Sequence, residues 1–70
     1  MTYDYTYLYQ ELTKQHVTLA ELASLLHLST SALQAKLASK EDFSQEEIHT
    51  CIKALHLEPS KIHLYFFTLK

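Results

Sequence analysis

Apolar residues recur at helical spacing in five short segments of the chain. In the first segment, Leu8 and Leu12 predict a helix from about Thr6 to Gln15, and Tyr5 and Tyr9 extend its apolar stripe. The alternating tyrosines at positions 3, 5, 7 and 9 also fit a short strand, but no other segment offers that strand a clear partner. A helix is therefore the preferred prediction.

Capping residues indicate where the next three helices begin. The segments Thr18–Glu21 and Ser44–Glu47 have the capping-box pattern, in which a hydroxyl and a carboxylate each accept a hydrogen bond from a free backbone amide, and Ser29 is a third candidate N-cap. The apolar positions of these helices are Leu22, Ala23, Leu25 and Leu26 in the second, Leu33 and Leu37 in the third, and Ile48, Cys51, Ile52 and Leu55 in the fourth.

The last element begins near Pro59, because proline suits the first turn of a helix, and Ile62, Tyr65 and Phe66 are predicted to face inward. The chain has no glycine and one proline, which disfavours tight β-hairpins and glycine-rich phosphate loops. Seventy residues leave room for one hydrophobic core. The expected fold class is all-α, with five short helices in a single domain over residues 1–70.

Several function classes find no support in the sequence. The only cysteine, Cys51, has no partner for a disulfide and lies on an apolar stripe, so a core position in a cytoplasmic protein is expected. No apolar run approaches the roughly 20 residues that span a bilayer. His49, His56 and His63 are too far apart along the chain to share a metal ion. We expect no enzymatic activity, no cofactor, no metal, no small-molecule substrate and no membrane contact.

Helices two and three have the spacing of a helix-turn-helix. Ala23 is small enough for a close helix crossing, Leu28 fills the turn, and Leu33 anchors the second helix from beneath. That second helix, from Ser29 to about Ser39, would be the recognition helix. Its outward positions form a small, uncharged face of Ser31, Gln34, Ala35 and Ala38.

Successive segments of the chain resemble the elements of one known family. They are Val17–Leu26 for the second helix, Leu28–Ser29 for the turn, Ala35–Leu37 for the end of the recognition helix, Asp42–Ser44 for the start of the fourth helix, and Leu55–Pro59 with Ile62 and Phe66–Phe67 for the closing helix. On these residues the chain resembles the Cro and lambda-repressor-like, or XRE-type, helix-turn-helix family. The resemblance implies a lambda-repressor-like fold and a phage or prophage transcription regulator, of repressor type, that binds double-stranded DNA.

The side chains of the recognition helix define the DNA contacts that this interpretation predicts. Gln34 can pair with adenine through its amide, and Thr30 and Ser31 can contact either bases or phosphates. Ala35 lies on the same face, and Lys36 and Lys40 are the candidate phosphate anchors.

The chain departs from the family pattern in its turns and in its charge. His16, His27 and His56 occupy turn positions where members commonly have glycine, and Ala38–Ser39 replaces a common Asn-Gly pair, so positive φ is expected there at a cost of about 1 kcal/mol or less each. Leu19 replaces a glutamine that often contacts phosphate. The chain has no arginine and a net charge of −2, which disfavours DNA binding.

The sequence also predicts that the chain associates with a second copy. Two phosphate anchors per chain, Lys36 and Lys40, give little affinity for DNA, so a homodimer reading two half-sites is expected. Its interface is predicted in the apolar C-terminal segment, at Leu64, Tyr65, Phe66, Phe67 and Leu69. The alternative function is a protein interaction module that keeps the helix-turn-helix fold, such as an antirepressor or an inhibitor of another regulator or host enzyme. It would bind its partner through helix three or the aromatic tail.

Overall fold

Residues 2–69 are the part of the chain that the computed structural model describes, and five short helices run through them. They are α1 Thr6–Lys14, α2 Leu19–Leu25, α3 Thr30–Leu37, α4 Gln45–Leu55 and α5 Ile62–Phe66, the last preceded by a 3-10 turn at Pro59–Lys61. The predicted all-α class is confirmed. None of these helices is long and apolar enough to cross a membrane.

Side-chain caps begin the three central helices at the predicted residues. The Thr18 hydroxyl accepts a hydrogen bond from the Glu21 amide at 3.1 Å, and the Glu21 carboxylate accepts one from the Thr18 amide at 3.0 Å. Ser44 and Glu47 form the same reciprocal pair. Ser29 caps α3 by accepting from the Ala32 amide. Each cap of this kind stabilises its helix by about 1 kcal/mol.

The turns after α1, α2, α3 and α4 each contain one residue in the left-handed conformation, and none of these residues is glycine. The φ angles are 58° at His16, 58° at His27, 60° at Ser39 and 53° at His56, so the positive φ expected at these positions is confirmed. In each turn the next residue donates its amide to a carbonyl five residues earlier, as Leu28 does to Ala23 at 2.8 Å. These bonds satisfy carbonyls that the helix end leaves free.

The core lies between the helices and includes the residues predicted to hold the helix-turn-helix together. Ala23 is 2% exposed where α2 contacts α3, and Leu33, on the inner side of α3, is fully buried. Leu28 is partly buried in the turn between these helices. The other buried side chains are Tyr5, Leu8, Leu12, Leu22, Leu26, Ile48, Cys51, Leu55, Leu57 and Phe66. Helices α2 and α3 therefore form the predicted helix-turn-helix.

Two residues assigned to the core from the pattern lie at the surface. Tyr9 is 43% exposed and Leu25 is 42% exposed. Successive helical residues are about 100° apart, so in such short helices the residue beside a buried position falls on the flank of the apolar stripe. Helix α3 also ends at Leu37, two residues before the predicted Ser39, which instead adopts the left-handed turn.

The two ends of the described chain meet beside the turn after α3. Tyr3 and Leu69 form an isolated antiparallel bridge, and the Asp4 amide donates to the Thr68 carbonyl at 2.7 Å. The Tyr3 amide also donates to the Ser39 hydroxyl at 2.9 Å. The N-terminal segment therefore does pair with an extended segment, but only at Tyr3 and Asp4, and α1 begins at Thr6.

Candidate functional site

The outer face of α3 presents most of the side chains predicted to read DNA. Thr30, Ser31 and Gln34 are exposed, and Ala35 is partly buried. This arrangement follows from Leu33, whose complete burial turns the opposite side of the helix towards solvent. The face is accessible, small in relief and uncharged, as the sequence predicted.

Lys36, predicted as a phosphate anchor, has two partners within the fold. Its Nζ lies 3.1 Å from a Glu47 carboxylate oxygen, and it donates a hydrogen bond to the Asp42 carbonyl at 2.9 Å. The side chain is only 13% exposed and its Nζ lies 6.0 Å from the centre of the Phe43 ring. A lysine with these partners would have to leave them before it could bind a phosphate.

The electrostatics of Glu47 reflect the same contact. Burial raises the pKa of this carboxyl, but the hydrogen bond from the Ser44 amide and the ion pair with Lys36 outweigh it, so the net pKa is lowered. Glu47 is therefore held in its charged form, which neutralises Lys36.

Little positive charge remains beside the reading face. Lys40 is exposed and is the other predicted anchor, but Glu41 and Asp42 follow it directly and are exposed too. Affinity for a DNA backbone comes chiefly from lysine and arginine contacts with phosphates, and acidic neighbours oppose it. The surroundings of α3 therefore carry little of the positive charge that binding to a DNA backbone requires.

The five residues predicted to form a dimer interface separate into buried and exposed sets. Phe67 is 49% exposed and Leu69 is 59% exposed, whereas Leu64 and Tyr65 are partly buried. Phe66 is only 1% exposed, so its assignment to the interface was wrong. It faces the core one position before the exposed Phe67, because neighbouring residues of a helix point in different directions.

Aromatic contacts connect the exposed tail with the N-terminal segment and the loop before α4. The ring centroids are 5.7 Å apart for Phe67 and Tyr3, 6.4 Å for Tyr3 and Tyr5, 5.6 Å for Tyr5 and Phe43, and 5.4 Å for Phe43 and Phe66. This cluster could not be predicted from the sequence pattern, because its contacts join the two ends of the chain. The only signal was the number of tyrosines before α1.

Cys51 lies in the core, as the sequence predicted. Its side chain is fully buried, and burial raises the pKa of the thiol to about 12, with the nearby Glu47 charge adding to the effect. Such a thiol is protonated and inert at neutral pH. Within residues 2–69, no three side chains of His, Cys, Asp or Glu are grouped closely enough to hold a metal ion.

Comparison with known proteins gives a family and a related structure. Residues 1–69 match the model of a family described as "Protein of unknown function (DUF739)". The fold is similar to the solution structure of the modulator of repression (MOR) of the temperate bacteriophage TP901-1 from Lactococcus lactis. The TM-score is 0.77, and the sequences are 33% identical over 96% of this chain and 90% of that chain. No curated protein is significantly similar in sequence.

Proposed function

The chain belongs to the DUF739 family of proteins of unknown function, and we propose that it is a non-enzymatic phage regulator that acts by binding another regulatory protein. The similar solved structure is that of a protein named as a modulator of repression. A protein that modulates repression need not read an operator, since it can act on the repressor. We infer that the partner of this chain is a phage repressor.

The position of Lys36 is the observation that carries this proposal. A DNA-binding helix-turn-helix needs cations beside its reading face, and here the better placed lysine is neutralised by Glu47 at 3.1 Å. With that lysine neutralised, the helix-turn-helix offers few cations to a DNA backbone, and this favours a protein partner over an operator.

The aromatic tail is the contact surface that we propose. Phe67 and Leu69 are the most exposed of the large apolar side chains, and Phe67 contacts the ring of Tyr3. Exposed aromatic side chains commonly supply the main binding energy of a protein interface.

Direct DNA binding by a Cro-like regulator is the second candidate. The observation in its favour is the helix-turn-helix itself, with Ser31 and Gln34 exposed on α3 where base contacts are made. Homodimerisation through Phe67 and Leu69 is a prediction of the same hypothesis, and light scattering tests it. Either function would be carried out in the cytoplasm of the host cell.

Titration of the labelled chain with the repressor of its own phage or prophage tests the proposal. We expect saturable binding that survives moderate salt, because the contact is mainly apolar. Phe67→Ala should weaken the affinity by about tenfold or more. Tyr7→Ala is the matched control, since Tyr7 is a ring of similar exposure, 46%, on the outer side of α1.

Two results would decide against this account. Equal losses from Phe67→Ala and Tyr7→Ala would place the contact elsewhere than the tail. An absence of repressor binding, together with binding of operator DNA that Gln34→Ala abolishes, would favour the Cro-like regulator instead. Lys36→Ala is unsuitable for this comparison because it also breaks the ion pair with Glu47.

A further inference from the structure

A small pocket opens between the N-terminal segment, the loop before α4 and the aromatic tail. Its volume is about 210 Å³, and it is lined by five aromatic residues together with Ile48 and the acidic Asp42. The five aromatic residues are Tyr3, Tyr5, Phe43, Phe66 and Phe67. The volume is below the roughly 300–1,000 Å³ of pockets for drug-sized ligands, so the pocket suits the end of one long side chain.

The rings stand at steep angles to one another. The interplanar angles are 84° between Tyr3 and Phe67, 75° between Tyr5 and Phe43, and 73° between Phe43 and Phe66. Tyr5 and Phe66 are buried and form the inner wall, whereas Phe67 and Asp42 are exposed at the opening. Rings at these separations pack edge to face, so they give the pocket a continuous aromatic wall, and aromatic walls attract organic cations.

The charges around the pocket favour a cation as its occupant. Asp42 contributes a carboxylate at the opening. The pKa of Tyr5 is raised chiefly by its burial and next by the charge of Asp42, so the Tyr5 hydroxyl stays neutral. Lys36 lies beside the pocket, with its Nζ 6.0 Å from the centre of the Phe43 ring, but Glu47 neutralises it. The remaining local charge is negative.

We propose that this pocket binds the guanidinium group of an arginine presented by the partner protein. A guanidinium stacks on aromatic rings, pairs with a carboxylate through two hydrogen bonds and gives up water more readily than an ammonium does. The chain contains no arginine, so neither its own side chains nor a second copy can supply the group. The occupant therefore comes from a different protein.

This inference rests on the proposed function only in that the partner supplies the arginine, and the two can be tested separately. The pocket is tested without the partner, by NMR titration of the labelled chain with Nα-acetyl-argininamide. Nα-acetyl-citrullinamide, which has the same shape without the charge, is the matched probe. A single side chain is expected to bind in the millimolar range, so each titration should extend to about 50 mM.

We expect the arginine probe to shift the ring resonances of Tyr3, Tyr5 and Phe43, and the citrulline probe to leave them nearly unchanged. Asp42→Asn should weaken binding of the arginine probe by about two- to fivefold. Glu41→Gln, a neighbouring exposed carboxylate that does not line the pocket, should leave it unchanged.

Equal shifts with both probes, equal effects of the two substitutions, or no shift with the arginine probe would each overturn the inference. None of these results would bear on repressor binding through Phe67, which the titration with the repressor measures. Loss of repressor binding with an intact response to the arginine probe would overturn the proposed function and leave the pocket standing.

Discussion

The Nζ of Lys36 lies 3.1 Å from a Glu47 carboxylate oxygen, and this ion pair joins the last turn of α3 to the first turn of α4. Both side chains are largely buried, at 13% and 16% exposure. Glu47 also closes the capping box of α4 through the Ser44 amide. A lysine that the sequence assigns to DNA thus holds the recognition helix against the rest of the domain.

Replacing Lys36 with methionine should lower the free energy of unfolding by about 1–2 kcal/mol. The substitution keeps the length and apolar stem of the side chain but removes its ion pair and its hydrogen bond to the Asp42 carbonyl. Urea denaturation measures the change. Lys53→Met, at an exposed lysine on α4, is the control and should have an effect within about 0.5 kcal/mol. Equal effects would show that the Lys36 contacts contribute nothing.

The stability should fall at acid pH in a way that depends on Glu47. Its pKa is lower in the folded state than the ordinary value of 4.5, so its contribution is complete above that pH and is lost as the pH falls through the folded pKa. The free energy of unfolding, measured from about pH 6 to about pH 3, should therefore decline more steeply for the natural chain than for Glu47→Gln. Parallel curves would contradict the assignment.

Glycine at a left-handed turn should stabilise the protein. His27 has a φ of 58°, which costs a residue with a Cβ atom about 1 kcal/mol. The added freedom of glycine in the unfolded chain offsets about 0.4–1 kcal/mol of this cost. His27→Gly should therefore raise the free energy of unfolding by roughly 0.5 kcal/mol. His27→Ala separates this effect from loss of the imidazole, because alanine keeps the Cβ. If alanine stabilises as much as glycine, the backbone explanation fails.

The thiol of Cys51 should resist modification in the folded protein. It is fully buried and its pKa is raised to about 12, so neither access nor a thiolate is provided at neutral pH. An aromatic disulfide reagent should react at the rate at which the protein opens, and promptly in denaturant. Rapid labelling of the native protein would show that α4 is packed more loosely than the structure indicates.

Features that depend on nearby residues could be predicted from the sequence. The caps at Thr18, Ser29 and Ser44 each need only the following turn of helix, and the structure contains all three. The left-handed turns were also predictable, because members of the family that the chain resembles commonly have glycine at the positions of His16, His27, Ser39 and His56. The helix-turn-helix follows from Ala23 and Leu33, whose burial was evident in the pattern.

Features that depend on distant residues could not be predicted. The partner of Lys36 lies across a loop whose course the pattern does not define, so its charge was assigned to solvent and thus to DNA. The same holds for the pocket near Asp42, whose walls come from both ends of the chain. Phe66 and Phe67 show a finer limit, because adjacent apolar residues in a helix of five residues do not reveal which one is buried.

Fluorescence anisotropy of labelled duplex DNA at low salt tests the central claim most directly. Low salt strengthens every phosphate contact, so it gives a DNA-binding protein its best opportunity. With Lys36 neutralised by Glu47 and no arginine in the chain, we predict a flat titration for random and operator sequences alike. A saturable rise that weakens with added salt and disappears in Gln34→Ala would contradict the account.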